Sequence, residues 1–170
     1  MGVEIRESPV SEDEFEEMKQ FVHDYLAASV ESETEGGRMR WYPWHSAEYR
    51  YNHILNVAEI AAEIAEKEGA NVDVTRVAAL FHDIAKLEAE QDIHAEAGAR
   101  IAREYLQSRT DYPDSFIKEV CDAVADHSYE GDLADVPLET QCLMEADLID
   151  KVGANGTTLM VLRMGYESRT

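Results

Sequence analysis

The sequence predicts an all-α protein, a bundle of about six to seven helices. Three observations favour this class. Apolar residues recur at the three- and four-residue spacing of an amphipathic helix over most of the chain. Strand-like alternation never extends beyond a few residues, and the segments between the apolar stretches carry residues that begin and end helices.

The first predicted helix opens at a capping box. Ser11 is followed three residues later by Glu14, and apolar residues then recur at helical spacing. We expect this helix to end near residue 32. A polar, glycine-bearing loop over 32–37 and an aromatic segment over 39–45, interrupted by Pro43, then lead into the second helix.

The second and third predicted helices carry the most unusual residues of the chain. The second spans 47–68 and ends at Gly69, a residue that commonly terminates helices. It contains His53. The third begins after residues 71–73 and carries the dipeptide His82-Asp83 near its end.

Four more helices follow from the same signals. The fourth predicted helix spans about 93–108, and the fifth runs from Asp114 or Ser115 to His127. The sixth follows the loop 131–137 and carries Asp147, and the seventh spans 157–164. No polar segment caps the last apolar helix. We therefore expect either that further helices were trimmed from the chain or that a partner covers this face.

Length and composition bound the class of protein. A chain of 170 residues is long enough for one helical core. Cys121 and Cys142 lack metal-binding spacing and are expected to be small buried residues of a reduced, cytoplasmic protein. No leader and no apolar stretch long enough to span a bilayer is recognisable, so no membrane association is expected.

The charge is strongly negative. With 36 acidic and 15 basic residues, the formal net charge is −21. Contacts with nucleic acid backbones need clustered Lys and Arg, so we expect no duplex nucleic acid as a partner. The acids are spread along the chain, which favours a surface adapted to high salt over a face that binds a basic partner.

Polar residues within apolar helical faces indicate a metal site. His82 and Asp83 stand between Phe81 and Ile84, and His53 and Asp147 have similar surroundings. Buried polar groups are costly unless something binds them, and a divalent metal ion binds imidazole and carboxylate together.

The ordered set His53, His82-Asp83 and Asp147 resembles the H…HD…D signature of the HD-domain metal-dependent phosphohydrolase superfamily, in its HDIG-type form. The resemblance covers about residues 46–165, and the run 82–86 is similar to the HDIGK-type motif, with Ala85 in place of Gly. It implies a single HD domain over 1–170, in which 46–165 form the core and 1–45 the N-terminal helix and aromatic loop. Ala85 should favour a continuing helix.

The resemblance also implies one or two divalent ions. His53, His82, Asp83 and Asp147 would bind the first, and a nitrogen and oxygen set suits Mn, Fe, Co, Ni or Mg better than Zn. The remaining candidates are His94 and His127, which look like the extra histidines of subfamilies that hold two metals bridged by the Asp of the pair. The alternative for both is a hydrogen-bonded histidine.

Further candidates lie one helical turn from these residues. Lys86 and Arg50 are placed to bind a substrate phosphate. Their alternatives are a surface lysine paired with Glu90 and an ordinary surface arginine. Asp150 is a candidate for a residue that orients a metal ligand or a water without binding the metal itself. The alternative is a solvated carboxylate.

The implied reaction is hydrolysis of a small phosphate ester or anhydride by metal-activated water, with a nucleotide as the expected substrate and Asp83 and Lys86 as the catalytic pair. Many nucleotidases of the superfamily place a Glu where this chain has Lys86, so no general acid is assigned. Two alternatives stay open: a non-catalytic regulatory module that binds nucleotide or metal, and a di-iron oxygenase. A homo-oligomer is also possible.

Overall fold

A computed structural model describes residues 10–32, 46–89, 93–109 and 112–167. These described residues form seven α-helices and one short 3₁₀ helix, and they contain no β-strand. The predicted all-α class and the predicted number of helices are therefore confirmed. The predicted aromatic segment 39–45 lies outside the described residues.

Apart from the end of the third helix, the helix boundaries agree with the predicted ones to within about three residues. The α-helices are α1 (Glu12–Ser32), α2 (Ala47–Glu68), α3 (Val72–Phe81), α4 (His94–Gln107), α5 (Asp114–Asp126), α6 (Leu138–Val152) and α7 (Ala154–Glu167). A 3₁₀ turn, Leu133–Asp135, lies within the predicted loop 131–137. The last helix is longer at both ends than the predicted 157–164.

Capping residues explain where the first two helices begin and where the second one ends. The Ser11 backbone N–H and hydroxyl donate to the Glu14 carboxylate at 2.7 and 2.6 Å, the predicted capping box. Ser46 accepts the Tyr49 N–H at the start of α2. Gly69 ends α2 with a φ of 81°, a left-handed conformation that costs glycine little.

Helix α3 lies at the centre of the bundle. Eight of its ten residues are buried, and it contacts α1, α2, α4, α5 and α6. A helix that is apolar on nearly every side must be enclosed by its neighbours. The residues that follow its C-terminus are consequently placed deep inside the protein, where His82 and Asp83 expose 0% and 2% of their surface.

The end of α3 corrects one prediction. We expected the helix to carry His82 and Asp83 and to continue past Ala85, but it ends at Phe81 and residues 82–88 form turns. The tighter i to i+3 bonds of this segment join the Ile84 N–H to the Phe81 carbonyl and the Lys86 N–H to the Asp83 carbonyl.

Apolar side chains remain exposed on the last two helices. Helix α7 packs chiefly on α6. More than half of the surface is exposed for Leu148, Val152, Met160, Val161, Leu162 and Met164. None of the described helices is long and apolar enough to cross a bilayer.

The two cysteines are buried, as predicted. Cys121 and Cys142 expose 1% and 2% of their surface, and neither forms a disulfide. Burial raises the pKa of both thiols, which keeps them protonated and unreactive.

The capping box of α1 yields a prediction about stability. Glu14 accepts two hydrogen bonds from Ser11, which lower its pKa, so its contribution is present above the pKa of the unfolded chain and is lost as the pH falls. Replacing Glu14 by Gln should cost roughly 0.5 kcal/mol at pH 7, the low end for an exposed cap.

Urea unfolding at pH 7 and at low pH measures this effect. Asp13→Asn is the matched control, since it also removes one negative charge from the first turn of α1. The excess cost of Glu14→Gln over Asp13→Asn should shrink as the pH falls through the acidic range. An excess that is equally large at both pH values would contradict the pKa assignment.

Candidate metal centre

A first cluster of three buried side chains brings together α2, the end of α3 and α6. The Nε2 atoms of His53 and His82 and an Asp147 carboxylate oxygen all lie within 4.8 Å of one another. His53 Nε2 is 3.2 Å from Asp147 Oδ1, and His82 Nε2 is 3.9 Å from the same oxygen. Such a group can hold a divalent metal ion.

The first cluster fits a metal because its inward atoms have no other partner. Among the described residues, no hydrogen bond reaches His53 Nε2, His82 Nε2 or Asp147 Oδ1, although all three atoms are buried. Buried polar atoms are rarely left without a partner. A cation at this point would satisfy all three.

The opposite ring nitrogen of each histidine is held by the protein. His82 Nδ1 lies 2.7 Å from the Ala79 carbonyl, and His53 Nδ1 lies 2.7 Å from Asp150 Oδ2. Since a carbonyl or a carboxylate only accepts, each Nδ1 donates and each Nε2 keeps its lone pair. This arrangement is typical of metal-binding histidines.

A second cluster lies beside the first. Asp83, His94 and His127 each direct a ligand atom to within 4.8 Å of the others, and the two Nε2 atoms are 3.2 Å apart. His94 begins α4, and His127 caps the end of α5. His127 Nδ1 faces the Val124 carbonyl at 2.7 Å, which orients its Nε2 toward the cluster.

The carboxylate of Asp83 joins the two clusters. Its Oδ2 lies 3.7 Å from Nε2 of both His53 and His82. Its other oxygen, Oδ1, lies 3.4 Å from His94 Nε2 and 3.7 Å from His127 Nε2. One oxygen of Asp83 therefore faces two histidine nitrogens of the first cluster and the Arg50 guanidinium, and the other oxygen faces two histidine nitrogens of the second cluster.

Two of the predicted phosphate-binding residues surround this carboxylate. The Arg50 guanidinium is bonded to Asp83 Oδ2, with its side chain 9% exposed. Lys86 Nζ lies 3.0 Å from His94 Nε2 and 3.8 Å from Asp83 Oδ1. Neither side chain is the ordinary surface group considered as an alternative.

A third cation was missed by the sequence interpretation. Lys151 is bonded to Asp147 Oδ2 while more than half of its side chain remains exposed. It follows Asp147 by four residues on α6, a spacing that places both on one helical face. That spacing was available in the sequence.

The central residues are held in the protonation states that a metal ligand needs. Burial lowers the pKa of His82 to about 3, so its ring is neutral. Burial alone would raise the pKa of Asp83, but the Arg50 guanidinium and the neighbouring His82 hold it well below its usual value. Asp83 is therefore ionised near neutral pH.

The pKa of His53, unlike that of His82, is raised. Burial works to lower the pKa of His53, but the carboxylates of Asp147 and Asp150 outweigh it and raise the pKa. Hydrogen bonding to His53 lowers the pKa of Asp150. A proton on His53 competes with a metal, so metal affinity should fall as the pH falls.

Gly98 determines how closely α4 approaches the end of α3. A Cβ atom at this position would lie 3.0 Å from the Phe81 carbonyl oxygen and 3.5 Å from that of His82. The missing side chain lets α4 pass against the backbone of the central dipeptide. A glycine inside a predicted helix was the available signal, and it was missed.

Comparison with known proteins relates the chain to one domain family. The family model of the HD domain matches residues 50–151. A solved structure, described as a predicted HD superfamily hydrolase from an uncultured Thermotogales bacterium, is 26% identical and superposes with a TM-score of 0.62. The match covers 85% of this chain and 74% of that chain.

Shorter matches join the chain to curated proteins. It is 36% identical over 62 residues to a tRNA (cytidine(56)-2'-O)-methyltransferase of Thermoplasma volcanium, covering 36% of this chain and 18% of that protein. It is 48% identical over 59 residues to ribonuclease Y of Pseudothermotoga lettingae, covering 34% and 12%. The chain thus spans less than a fifth of the length of these two relatives.

The two clusters predict a metal stoichiometry. We expect two divalent ions per chain after loading with Mn²⁺ and dialysis, one ion in His127→Ala, and loss of at least one in Asp83→Asn. Elemental analysis measures the count, and far-UV circular dichroism checks the helices. His23→Ala, which removes an exposed histidine, is the control. A wild-type count of one, unchanged in His127→Ala, would contradict a second site.

The contact between Asp150 and His53 predicts a weaker effect. Asp150→Ala leaves the ligand set intact but removes the group that orients His53, so metal affinity should fall by about 10- to 100-fold. Titration calorimetry with Mn²⁺ measures this change. Asp122→Ala, which removes a carboxylate from a surface pair with Lys118, should have no effect. Equal affinities in the two variants would refute the orienting role.

Proposed function

The chain belongs to the HD-domain family, and on this premise we propose that it is a metal-dependent phosphohydrolase that acts on a small phosphate ester or anhydride, namely a nucleotide. The observation that supports this proposal best is the shared carboxylate of Asp83 between two buried groups of potential ligands. His53, His82, Asp83 and Asp147 would hold one ion, and a second would lie among Asp83 and the residues His94 and His127.

A divalent cation bound there supplies Lewis-acid chemistry, which lowers the pKa of water and neutralises phosphoryl oxygens. The donor set contains imidazole and carboxylate without thiolate. Mn, Fe, Co, Ni or Mg therefore suits it better than Zn.

The protein's own residues prepare the site for this reaction. Asp83 stays ionised near neutral pH because the Arg50 guanidinium is bonded to it, so its carboxylate is available to bind a metal ion. His82 stays neutral because it is buried. The buried ring of His53 is held from behind by Asp150, which fixes the direction of its Nε2.

Three cations give the site its affinity for an anion. Arg50, Lys86 and Lys151 all bond or approach the carboxylates of the two clusters. Lys86 is the best placed to bind a phosphate, because it lies beside His94 and no carboxylate oxygen of a described residue lies closer than 3.8 Å. A donor that is positioned before the reaction stabilises charge as it develops on the phosphate.

A small substrate is more compatible with the net charge of the protein than a long nucleic acid is. Some relatives carry the name ribonuclease Y, which raises the question of RNA as a substrate. A net charge of −21 opposes the many backbone contacts that a long RNA would need. A mononucleotide needs only a few cations, all of which the proposed site contains.

A substrate panel tests the proposal. The Mn²⁺-, Co²⁺- or Ni²⁺-loaded protein should release phosphate or pyrophosphate from nucleoside mono- or triphosphates, and Lys86→Met should lower kcat/KM by about 100-fold, as expected for the loss of a positioned charge. Lys67→Met is the control, since Lys67 is an exposed lysine on α2. A short RNA oligonucleotide completes the panel.

The other outcomes separate the alternatives. Release of no phosphate from any member of the panel would overturn the hydrolase and favour a regulatory module. Oxygen uptake after aerobic loading with iron would favour an oxygenase. Preferential cleavage of the RNA would retain the hydrolase and contradict the small substrate.

A further inference from the structure

A cleft opens beside the metal centre, between α2, α6 and the start of α7. Its volume is about 360 Å³, and its walls include His53, a member of the first cluster, and Asp150, which accepts a hydrogen bond from His53 Nδ1. None of the groups assigned above to phosphate binding lines it. The cleft therefore adjoins the proposed reaction site and shares only His53 of its proposed ligands.

The volume and the lining suit the organic part of a small substrate. Pockets for small molecules commonly measure about 300–1,000 Å³ and combine apolar walls with a few polar groups. Here Leu159 provides an aliphatic surface, Tyr49 an aromatic one, and Asn52, Asn56 and Thr158 the polar groups.

The aromatic wall lies beside a proposed metal ligand. The Tyr49 ring lies nearly parallel to the His53 ring, at 9° between planes and 6.4 Å between centroids. The two residues are four positions apart on α2, so one helical face carries both the aromatic wall and the first metal ligand. A group bound against Tyr49 would thus have a fixed position relative to the metal centre.

The polar groups of the cleft keep hydrogen-bonding capacity for a ligand. Within the described part of the chain, no side-chain hydrogen bond engages the Asn52 amide or the Tyr49 hydroxyl. Asn56 uses its amide nitrogen to bind Asp150 Oδ1 at 3.2 Å, which leaves its carbonyl oxygen available. An amide offers a donor and an acceptor side by side, which matches the edge of a nucleobase.

We propose that this cleft binds the nucleoside portion of the substrate, with the base between Tyr49 and Leu159 and its edge hydrogen-bonded to Asn52. This inference rests on the proposed function, because it assumes that the substrate is a nucleotide. A lipid would leave the two amides without partners, and a bare sugar phosphate would leave the aromatic and aliphatic walls uncovered.

Binding of unphosphorylated nucleosides tests the inference without catalysis. Adenosine, guanosine, cytidine and uridine are offered singly, and saturation-transfer NMR measures the bound fraction. At least one should bind the wild-type protein, and binding should weaken at least tenfold in Asn52→Ala and in Thr158→Trp, whose indole would fill the cleft. Both positions are exposed, so these variants should fold.

Two controls separate the cleft from its surroundings. Thr157→Trp adds the same side chain at an exposed position next to Thr158 that does not line the cleft, and it should bind nucleosides like the wild type. Asp83→Asn should lose metal but keep nucleoside binding. In turnover assays, Asn52→Ala should lower the preference for nucleotide over pyrophosphate, as a ratio of kcat/KM, at least tenfold.

The outcomes distinguish this inference from the proposed hydrolase. Absence of nucleoside binding to the wild type would overturn the inference even if phosphate substrates are hydrolysed. Equal binding by the wild type, Asn52→Ala and Thr158→Trp would do the same. Nucleoside binding that both variants abolish, in a protein that hydrolyses nothing, would support the cleft and reject the hydrolase.

Discussion

The buried carboxylate of Asp83 is the constraint around which the protein is built. An ionised group with only 2% of its surface exposed is costly unless opposite charge and hydrogen-bond donors surround it. Here one oxygen meets Arg50 from α2, and the other faces histidines that come from α4 and α5. Four segments must converge within a few ångströms for this charge to be tolerated.

The fold achieves this convergence through the position and the abrupt end of α3. At the end of α3, His82 and Asp83 stay inside the protein, where Asp83 Oδ2 lies 3.7 Å from Nε2 of both His82 and His53. Gly98 lets α4 approach the same place, since a Cβ atom there would lie only 3.0 Å from the Phe81 carbonyl oxygen.

Local sequence patterns predicted much of this structure. The features that they did not predict depend on how separate helices pack together. Capping residues such as Ser11 and Gly69 act over a few neighbouring residues, so the helix boundaries were readable from the sequence. Four candidate ligands were recognisable as polar residues on apolar faces, namely His53, His82, Asp83 and Asp147. His94 and His127 became candidates only through the family resemblance. The contact between Lys151 and Asp147 lies within α6, and its four-residue spacing could have been recognised in the sequence. The cleft beside Tyr49 instead depends on where α7 lies relative to α2 and α6, which no single segment encodes.

The three cations of the site give it a local positive charge within a molecule whose net charge is strongly negative. An approaching phosphate compound first meets the field of a body with a charge of −21, and it meets Arg50, Lys86 and Lys151 only at the end of its approach. Dissolved ions damp the outer field beyond about 8–10 Å and leave the final contacts largely intact. For an anionic ligand, screening of the net negative field by salt should therefore speed the encounter, whereas salt slows the encounter of oppositely charged partners.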